Sequence, residues 1–81
     1  MYQFKELQEA EKIVEIFKTN VQKESDRDYI ITMMQNQFPD CKINFDLEDC
    51  DKILRVEGFD LQYDKVVSHL YGLGFTCVRL E

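Results

Sequence analysis

The 81-residue sequence is poor in proline and glycine, with one proline and three glycines. No apolar run approaches the ~20 residues that a membrane-spanning helix requires, so we predict no membrane contact. The first residues lack the basic and apolar regions of a secretory signal, which favours a cytoplasmic protein. With 44% hydrophobic and 32% charged residues, the composition is typical of a folded globular chain and excludes a disordered one.

Basic residues are the minority among the charged side chains. The chain has 10 basic and 16 acidic residues, which gives a formal net charge of -6. Lys18, Lys23 and Arg27 alternate with acids instead of forming a basic cluster. Because acidic side chains repel phosphate backbones, we predict that nucleic acid is not a partner.

Cysteines are few and widely spaced. Cys41, Cys50 and Cys77 form an odd set that differs from the dense, even pattern of a secreted disulfide scaffold. Cys77 lies in a predicted strand and is expected to be buried, whereas Cys50 lies in a predicted turn and is expected to be exposed. The only histidine, His69, falls beside the apolar stripe of a predicted helix and is expected to be partly exposed.

The apolar pattern predicts one domain, residues 12–81, after an N-terminal lead-in, residues 1–11. The lead-in is rich in helix formers, and we predict a helical or loose segment over residues 3–10. Residues 12–19 are β-branched and aromatic, which predicts a strand buried on both faces or nearly so. Apolar residues from the lead-in to Phe17 also fit the spacing of one helix face, so a helix is the alternative to this strand.

Two helices are expected within the domain. Ser25 supplies an N-cap for the first helix, and Pro39 ends it. Asp60 supplies the cap of the second helix, and Gly72 and Gly74 close it in the manner of C-terminal glycine caps.

Three further strands complete the pattern. Residues 43–47 and 53–57 alternate apolar and polar side chains around a short acidic turn, which predicts a hairpin. Residues 75–81 form the last strand. The order βαββαβ predicts an α+β, ferredoxin-like sandwich: a four-stranded antiparallel sheet with two helices on one face.

This order, the compact length from Lys12 to Glu81 and the "GLGF" end of the second helix resemble the heavy-metal-associated domains, which are small ferredoxin-like copper and zinc chaperones. Gly74 and Phe75 match the family's Gly-aromatic step before the last strand. The segment "NFDLEDCDKILRV" is also similar to one in small bacterial proteins related to that family.

The chain departs from the family at the metal loop. The resemblance implies a Met-x-Cys-x-x-Cys loop after the first strand, but the corresponding stretch "FKTNVQKESDR" has no Cys, Met or His. Asn20, Gln22 and Ser25 are poor ligands for soft metals. We therefore do not transfer the family's thiolate chemistry to this chain, and Phe75, which in the family leans over the metal, is predicted to pack in the core.

The acidic turn "DLEDCD" is the remaining candidate for a metal site. Cys50 with Asp49 and Asp51 could bind Zn²⁺, and the carboxylates alone could bind Ca²⁺ weakly. The turn lacks the glycine and the spacing of an EF-hand loop, and aspartates are common in turns. We favour a solvated hairpin turn and keep metal binding by Cys50, Asp49 and Asp51 as the alternative.

No nucleophile–base pair or carboxylate pair indicates an enzyme, and no cofactor is implied. The uncovered face of the sheet offers Lys42, Asn44, Ile53 and Arg55, and its two edge strands could pair with another chain. We therefore predict a non-catalytic protein-interaction module with an unidentified protein partner. A homodimer is one form of this prediction.

Overall fold

Two helices and four strands follow one another in the computed structural model, which describes residues 12–80. The strands form one antiparallel sheet in the order β2-β3-β1-β4, and this arrangement confirms the predicted ferredoxin-like fold. The lead-in, residues 1–11, and Glu81 lie outside the described residues. The elements are β1 (Ile13–Thr19), α1 (Glu24–Gln37), β2 (Lys42–Asp46), β3 (Ile53–Gly58), α2 (Tyr63–Gly72) and β4 (Cys77–Leu80).

One face of the sheet carries the core. Phe17 lies opposite Leu54 in the ladder between β1 and β3, and both side chains are completely buried. The helices cover this face with four side chains that are also completely buried. Neighbouring residues of a strand point to opposite sides. Because both helices of residues 12–80 pack on the core face, no helix in this described range covers the other face. The four helical side chains are Ile30 and Met34 from α1 and Val66 and Leu70 from α2.

The start of α1 differs from the prediction. The helix begins at Glu24 after Lys23, which makes no side-chain cap bond, and Ser25 is exposed within the first turn. The predicted Ser25 cap is therefore wrong. Val21 is completely buried just before the helix, and the helix begins two residues earlier than a Ser25 cap would place it. The end agrees with the prediction, because α1 stops before Phe38 and Pro39.

The start of α2 also differs from the prediction. At its end Gly74 agrees, whereas Gly72, which was also predicted as a cap, is the last residue of the helix. Asp60 has a φ of 59° and lies outside the helix, which begins at Tyr63, so the predicted Asp60 cap is wrong. Leu61 is only 8% exposed, and its burial fixes the chain between Asp60 and Tyr63. Gly74 has a φ of 99°, the left-handed conformation that favours glycine at a helix end. Neither helix within residues 12–80 combines the length and the apolar character that crossing a bilayer requires.

The strand predicted over residues 12–19 is present as β1, but it is not buried on both faces. Phe17 points into the core, whereas Val14 on the opposite face is 43% exposed and Lys18 is exposed. The prediction was wrong on this point because both helices lie on one side of the sheet. β1 thus presents apolar side chains to the uncovered face.

Candidate functional site

Three loops meet at one end of the sheet and are joined by hydrogen bonds from the end of β1. The Thr19 N–H donates to the carbonyls of Asp51 and Lys52, at 3.2 Å each, in the β2–β3 loop. The Asn20 N–H donates to the Thr76 carbonyl at 3.2 Å, and Asn20 Oδ1 accepts the Thr76 N–H at 2.9 Å. Asn20 belongs to the stretch where the family resemblance places a metal loop, and here it bridges two loops.

The loop between β2 and β3 is shaped by its own aspartates. Asp46 Oδ1 accepts the N–H of Glu48 at 3.1 Å, and Asp49 Oδ1 accepts the N–H of Asp51 at 2.8 Å. Such bonds from a short acidic side chain to the backbone two residues later are the reason aspartate is common in turns. The acidic composition of the loop therefore has a structural use.

The same loop brings the predicted metal ligands together. One ligand atom each from Asp49, Cys50 and Asp51 lies within 4.8 Å of the others. A thiolate with two carboxylates is a donor set that suits Zn²⁺. Two of the groups are already engaged, because Asp49 Oδ1 holds the turn and Asp51 Oδ1 lies 3.8 Å from the Lys18 ammonium. A cation would therefore compete with Lys18 for Asp51.

The three thiols differ in their surroundings. Cys50 is exposed and Cys77 is 7% exposed, as predicted for both. Burial raises the pKa of the Cys77 thiol to about 11. Burial, and then the negative charge of Asp40, raises the pKa of Cys41, whose sulfur occupies the space beside Gly58, where an added Cβ would lie 2.6 Å from it. The raised pKa values of Cys41 and Cys77 favour the protonated thiol, which is a poor metal ligand and a poor nucleophile.

His69 is a packing residue between the two helices. Its ring contacts that of Phe38 edge to face, with 5.6 Å between the ring centroids. Its Nε2 is buried and has no hydrogen-bond partner among the described residues. The partial burial of His69 agrees with the prediction. A neighbouring cavity of about 360 Å³ is lined by Gln37, Phe38, Asp64, Lys65, Ser68 and His69.

The uncovered face of the sheet, called the open face here, carries a strip of exposed apolar side chains. Val14 is 43%, Val78 64% and Leu80 39% exposed, and Ile16 is partly exposed. Ile16 lies directly opposite Leu80, and Val14 and Val78 flank this pair on the same face. We call these four residues the apolar strip. Contiguous exposed apolar residues of this kind mark interaction surfaces more often than single ones do.

The part of the open face next to the strip is charged and ordered. Glu57 of β3 is only 6% exposed, although it points to the open face. Its carboxylate lies 3.0 Å from the Lys12 ammonium and also accepts a hydrogen bond from Arg55. The hydrogen bond from Lys12, supported by the positive charges of Arg55 and Lys12, lowers the pKa of Glu57 against the opposing effect of burial. This ionic group fixes the side chains that border the strip.

The part of this surface that lies in β2 and β3 was predicted from the sequence. The register places the predicted residues Lys42, Asn44, Ile53 and Arg55 on the open face, in β2 and β3. The apolar strip in β1 and β4 was not predicted, because the apolar run of β1 fits a strand buried on both faces equally well. The predicted fold nevertheless implies such a surface, because two helices on one side of a sheet leave alternate residues of every strand uncovered.

Comparison with known proteins does not place the chain in a family. No protein-family model matches it, and neither a curated protein sequence nor a solved structure matches it. The resemblance to the heavy-metal-associated domains therefore stays a prediction, and the functional proposals rest on the geometry of the described residues.

Proposed function

We propose that this chain is a non-catalytic interaction module, on a scaffold resembling a heavy-metal-associated domain without its metal loop, that binds a protein partner on the open face of its sheet. The observation that carries the proposal is the apolar strip, whose member Val78 is 64% exposed. Leaving four apolar side chains together in water is unfavourable, and a docked partner would remove them from it.

The charged residues beside the strip support the same proposal. Lys12, Arg55 and Glu57 already form an ion-paired group on this face. Because these side chains are held in place before a partner arrives, less conformational entropy is lost on binding than with mobile side chains. A surface with an apolar centre and an ordered polar border has the anatomy of a protein–protein interface.

The other chemically active side chains also support a non-catalytic role. Cys77 is buried with a raised pKa, and His69 packs against Phe38. Asn20 and Thr19 hold loops together at one end of the sheet. In the heavy-metal-associated domains, which this chain resembles, the metal loop lies at that end. Each of these groups has a structural use that accounts for its position.

Single substitutions on the strip test the proposal. Val78→Asp places a charge at the most exposed member of the strip without touching the core, and Tyr71→Asp on α2 is the matched control at a side chain that is 74% exposed. We expect a partner from a native extract to be retained by the unaltered chain and by Tyr71→Asp, and lost by Val78→Asp. Equal retention by all three, with equal melting temperatures, would contradict the proposal.

A second copy of the chain is one form that the partner could take. Sedimentation equilibrium at micromolar concentration, and exchange between labelled and unlabelled protein, measure self-association directly. A homodimer through the open face would be disrupted by Val78→Asp and unaffected by Tyr71→Asp. A monomer at all concentrations would leave a different protein as the partner.

The second candidate function is metal binding, and the clustering of Asp49, Cys50 and Asp51 favours it. Native mass spectrometry with Zn²⁺, Cu(I) and Ca²⁺ tests this candidate. Stoichiometric uptake that is lost in Cys50→Ser and kept in Cys41→Ser would support a metal site in the β2–β3 loop. Uptake that is unchanged by Cys50→Ser, or no uptake at all, would remove this candidate.

A further inference from the structure

The open face differs in charge from the rest of residues 12–80. Of the nine basic and 12 acidic residues in this described part of the chain, it carries four basic and two acidic residues. Its formal charge is therefore +2, whereas the other five basic and ten acidic residues of the described part give −5. The basic residues are Lys12, Lys18, Lys42 and Arg55, and the acidic residues are Asp46 and Glu57.

The two acids of this face are already engaged. Glu57 is paired with Lys12 and Arg55, so that group of three retains one positive charge. Asp46 Oδ1 accepts the Glu48 N–H in the hairpin loop. With both acids counted, the open face keeps a formal charge of +2, and Asp51 of the hairpin loop lies against only one of its basic residues, Lys18.

Basic side chains directly border the apolar strip. Lys18 lies opposite Val78 across β1 and β4, and its side chain is 59% exposed. Its ammonium is 3.8 Å from Asp51 Oδ1, which is a loose contact between two partly exposed groups. Such exposed pairs contribute little to stability, so Lys18 can exchange this partner for another at small cost. Lys42, opposite Glu57 on β2, is exposed at the far margin.

We infer, on the basis of the proposed function, that the open face recognises an acidic amphipathic peptide segment of a protein partner. The apolar side chains of the peptide would cover Val14, Ile16, Val78 and Leu80. The carboxylates of the peptide would contact Lys18, Lys42 and Arg55. A basic segment would place its positive charges against those of Lys18, Lys42 and Arg55. An uncharged segment would remove water from these three side chains without offering them an opposite charge. Two open faces docked on each other would also bring like charges together, so a second copy fits this surface less well.

Two synthetic peptides of about 12 residues test the inference, because they differ only in charge. Both carry Leu and Phe at the same helical spacing, and one has Glu at every charged position where the other has Lys. Each is titrated into the isotope-labelled full chain and followed by amide NMR shifts. We expect the Glu peptide to bind about tenfold more tightly than the Lys peptide, with the largest shifts in β1 and β4.

Charge reversal on the protein provides the matched test. Lys18→Glu combined with Lys42→Glu changes two exposed side chains of the open face, and Lys65→Glu changes an exposed lysine of α2 as the control. We expect the double variant to prefer the Lys peptide and the control to retain the original preference. Melting temperatures verify that each variant is folded.

The outcomes separate this inference from the proposed function. Equal binding of the two peptides, or tighter binding of the Lys peptide by the unaltered chain, would overturn the acidic specificity and leave the open face as a docking surface. Binding of neither peptide would also overturn the inference, while the retention test with Val78→Asp would still decide the proposed function. Shifts confined to residues away from the open face would count against both.

Discussion

The hydroxyl of Thr19 donates a hydrogen bond of 2.6 Å to the carbonyl oxygen of Lys52, which joins the end of β1 to the β2–β3 loop. The hydroxyl oxygen of Thr19 in turn accepts the N–H of Val21 at 3.2 Å, at the entrance to α1. Thr19 is only 8% exposed. One buried hydroxyl therefore fixes two loops and sets the direction in which the chain leaves the central part of the sheet.

Thr19→Val should lower the free energy of unfolding by about 1–3 kcal/mol, since it keeps the side-chain shape but leaves the buried Val21 N–H and Lys52 carbonyl with one partner fewer. Thr32→Val is the control, because Thr32 Oγ1 makes a similar 3.0 Å bond to the Asp28 carbonyl on the exposed side of α1. Its effect should stay within about 0.5 kcal/mol. Urea unfolding measures both. Equal losses in the two variants would mean that burial of the Thr19 hydroxyl is unimportant.

Gly74→Ala should destabilise the protein by about 1 kcal/mol, because the left-handed backbone at this position penalises a Cβ although the surrounding space is open. Two bonds define this helix end: the Phe75 N–H donates to the Leu70 carbonyl at 3.0 Å and the Gly74 N–H to the Tyr71 carbonyl at 3.1 Å. They are the bonds of a Schellman motif.

Gly72→Ala is the matched control for this helix end. Gly72 is the last residue of α2, and an added Cβ would also meet open space. Alanine there should stabilise the protein by about 0.5–1 kcal/mol. Thermal unfolding of the two variants gives opposite signs under this account, and the same sign for both would refute it.

The stability of the protein should depend on the ionisation of Glu57. The Lys12 hydrogen bond lowers the pKa of Glu57 below its ordinary value of 4.5 in the folded protein. A lowered pKa means that the folded state favours the carboxylate, so the contribution to stability is complete above the ordinary pKa. It is lost as the pH falls from there through the lower folded-state value. The difference in unfolding free energy between the unaltered chain and Glu57→Gln should therefore narrow over that acid range.

A double-mutant cycle with Lys12→Gln isolates the ion pair from other effects of pH. At neutral pH, Lys12→Gln should cost stability in the unaltered chain and less in the Glu57→Gln background. Below the folded-state pKa of Glu57 the two costs should converge. A coupling energy that stays constant from neutral to acid pH would show that Lys12 does not act through the Glu57 carboxylate.

The thiols should react in the order of their exposure. In the native protein at neutral pH, a thiol reagent should modify Cys50 rapidly, Cys41 slowly and Cys77 only on unfolding, because Cys77 is buried and its pKa is about 11. Cys50→Ser should remove the fast phase, and Cys41→Ser should leave it unchanged. Rapid reaction of two thiols in Cys50→Ser would show that the sheet edges open readily.

The order of elements and the helix-facing core were accessible from the sequence because they depend on periodicity. Ile43 and Phe45 alternate with polar residues in β2, and Val66 and Leu70 recur at helical spacing in α2. A single turn of helix or a pair of residues in a strand is enough to assign a face. The meeting of three loops at one end of the sheet could also be predicted, because it follows from the topology alone.

Cap positions and the exposure of β1 depend on contacts distant in sequence, and for this reason they were predicted wrongly. Ser25 and Asp60 have suitable side chains, but the burial of Val21 and Leu61 decides where each helix begins. The apolar character of Val14 fits a buried strand equally well until the positions of both helices are known. The apolar strip therefore follows from the three-dimensional arrangement of the sheet and the two helices, and not from the pattern of β1 alone.

The hairpin loop is anchored to β1 through backbone oxygens, those of Asp51 and Lys52. Exposed side chains such as Glu48 and Cys50 are therefore not needed for that attachment. A short foreign sequence, for instance a ligand-binding motif, can be grafted between the two strands while the ladder on either side keeps its register. The scaffold would then display a chosen function at the end of the sheet and leave the open face unchanged.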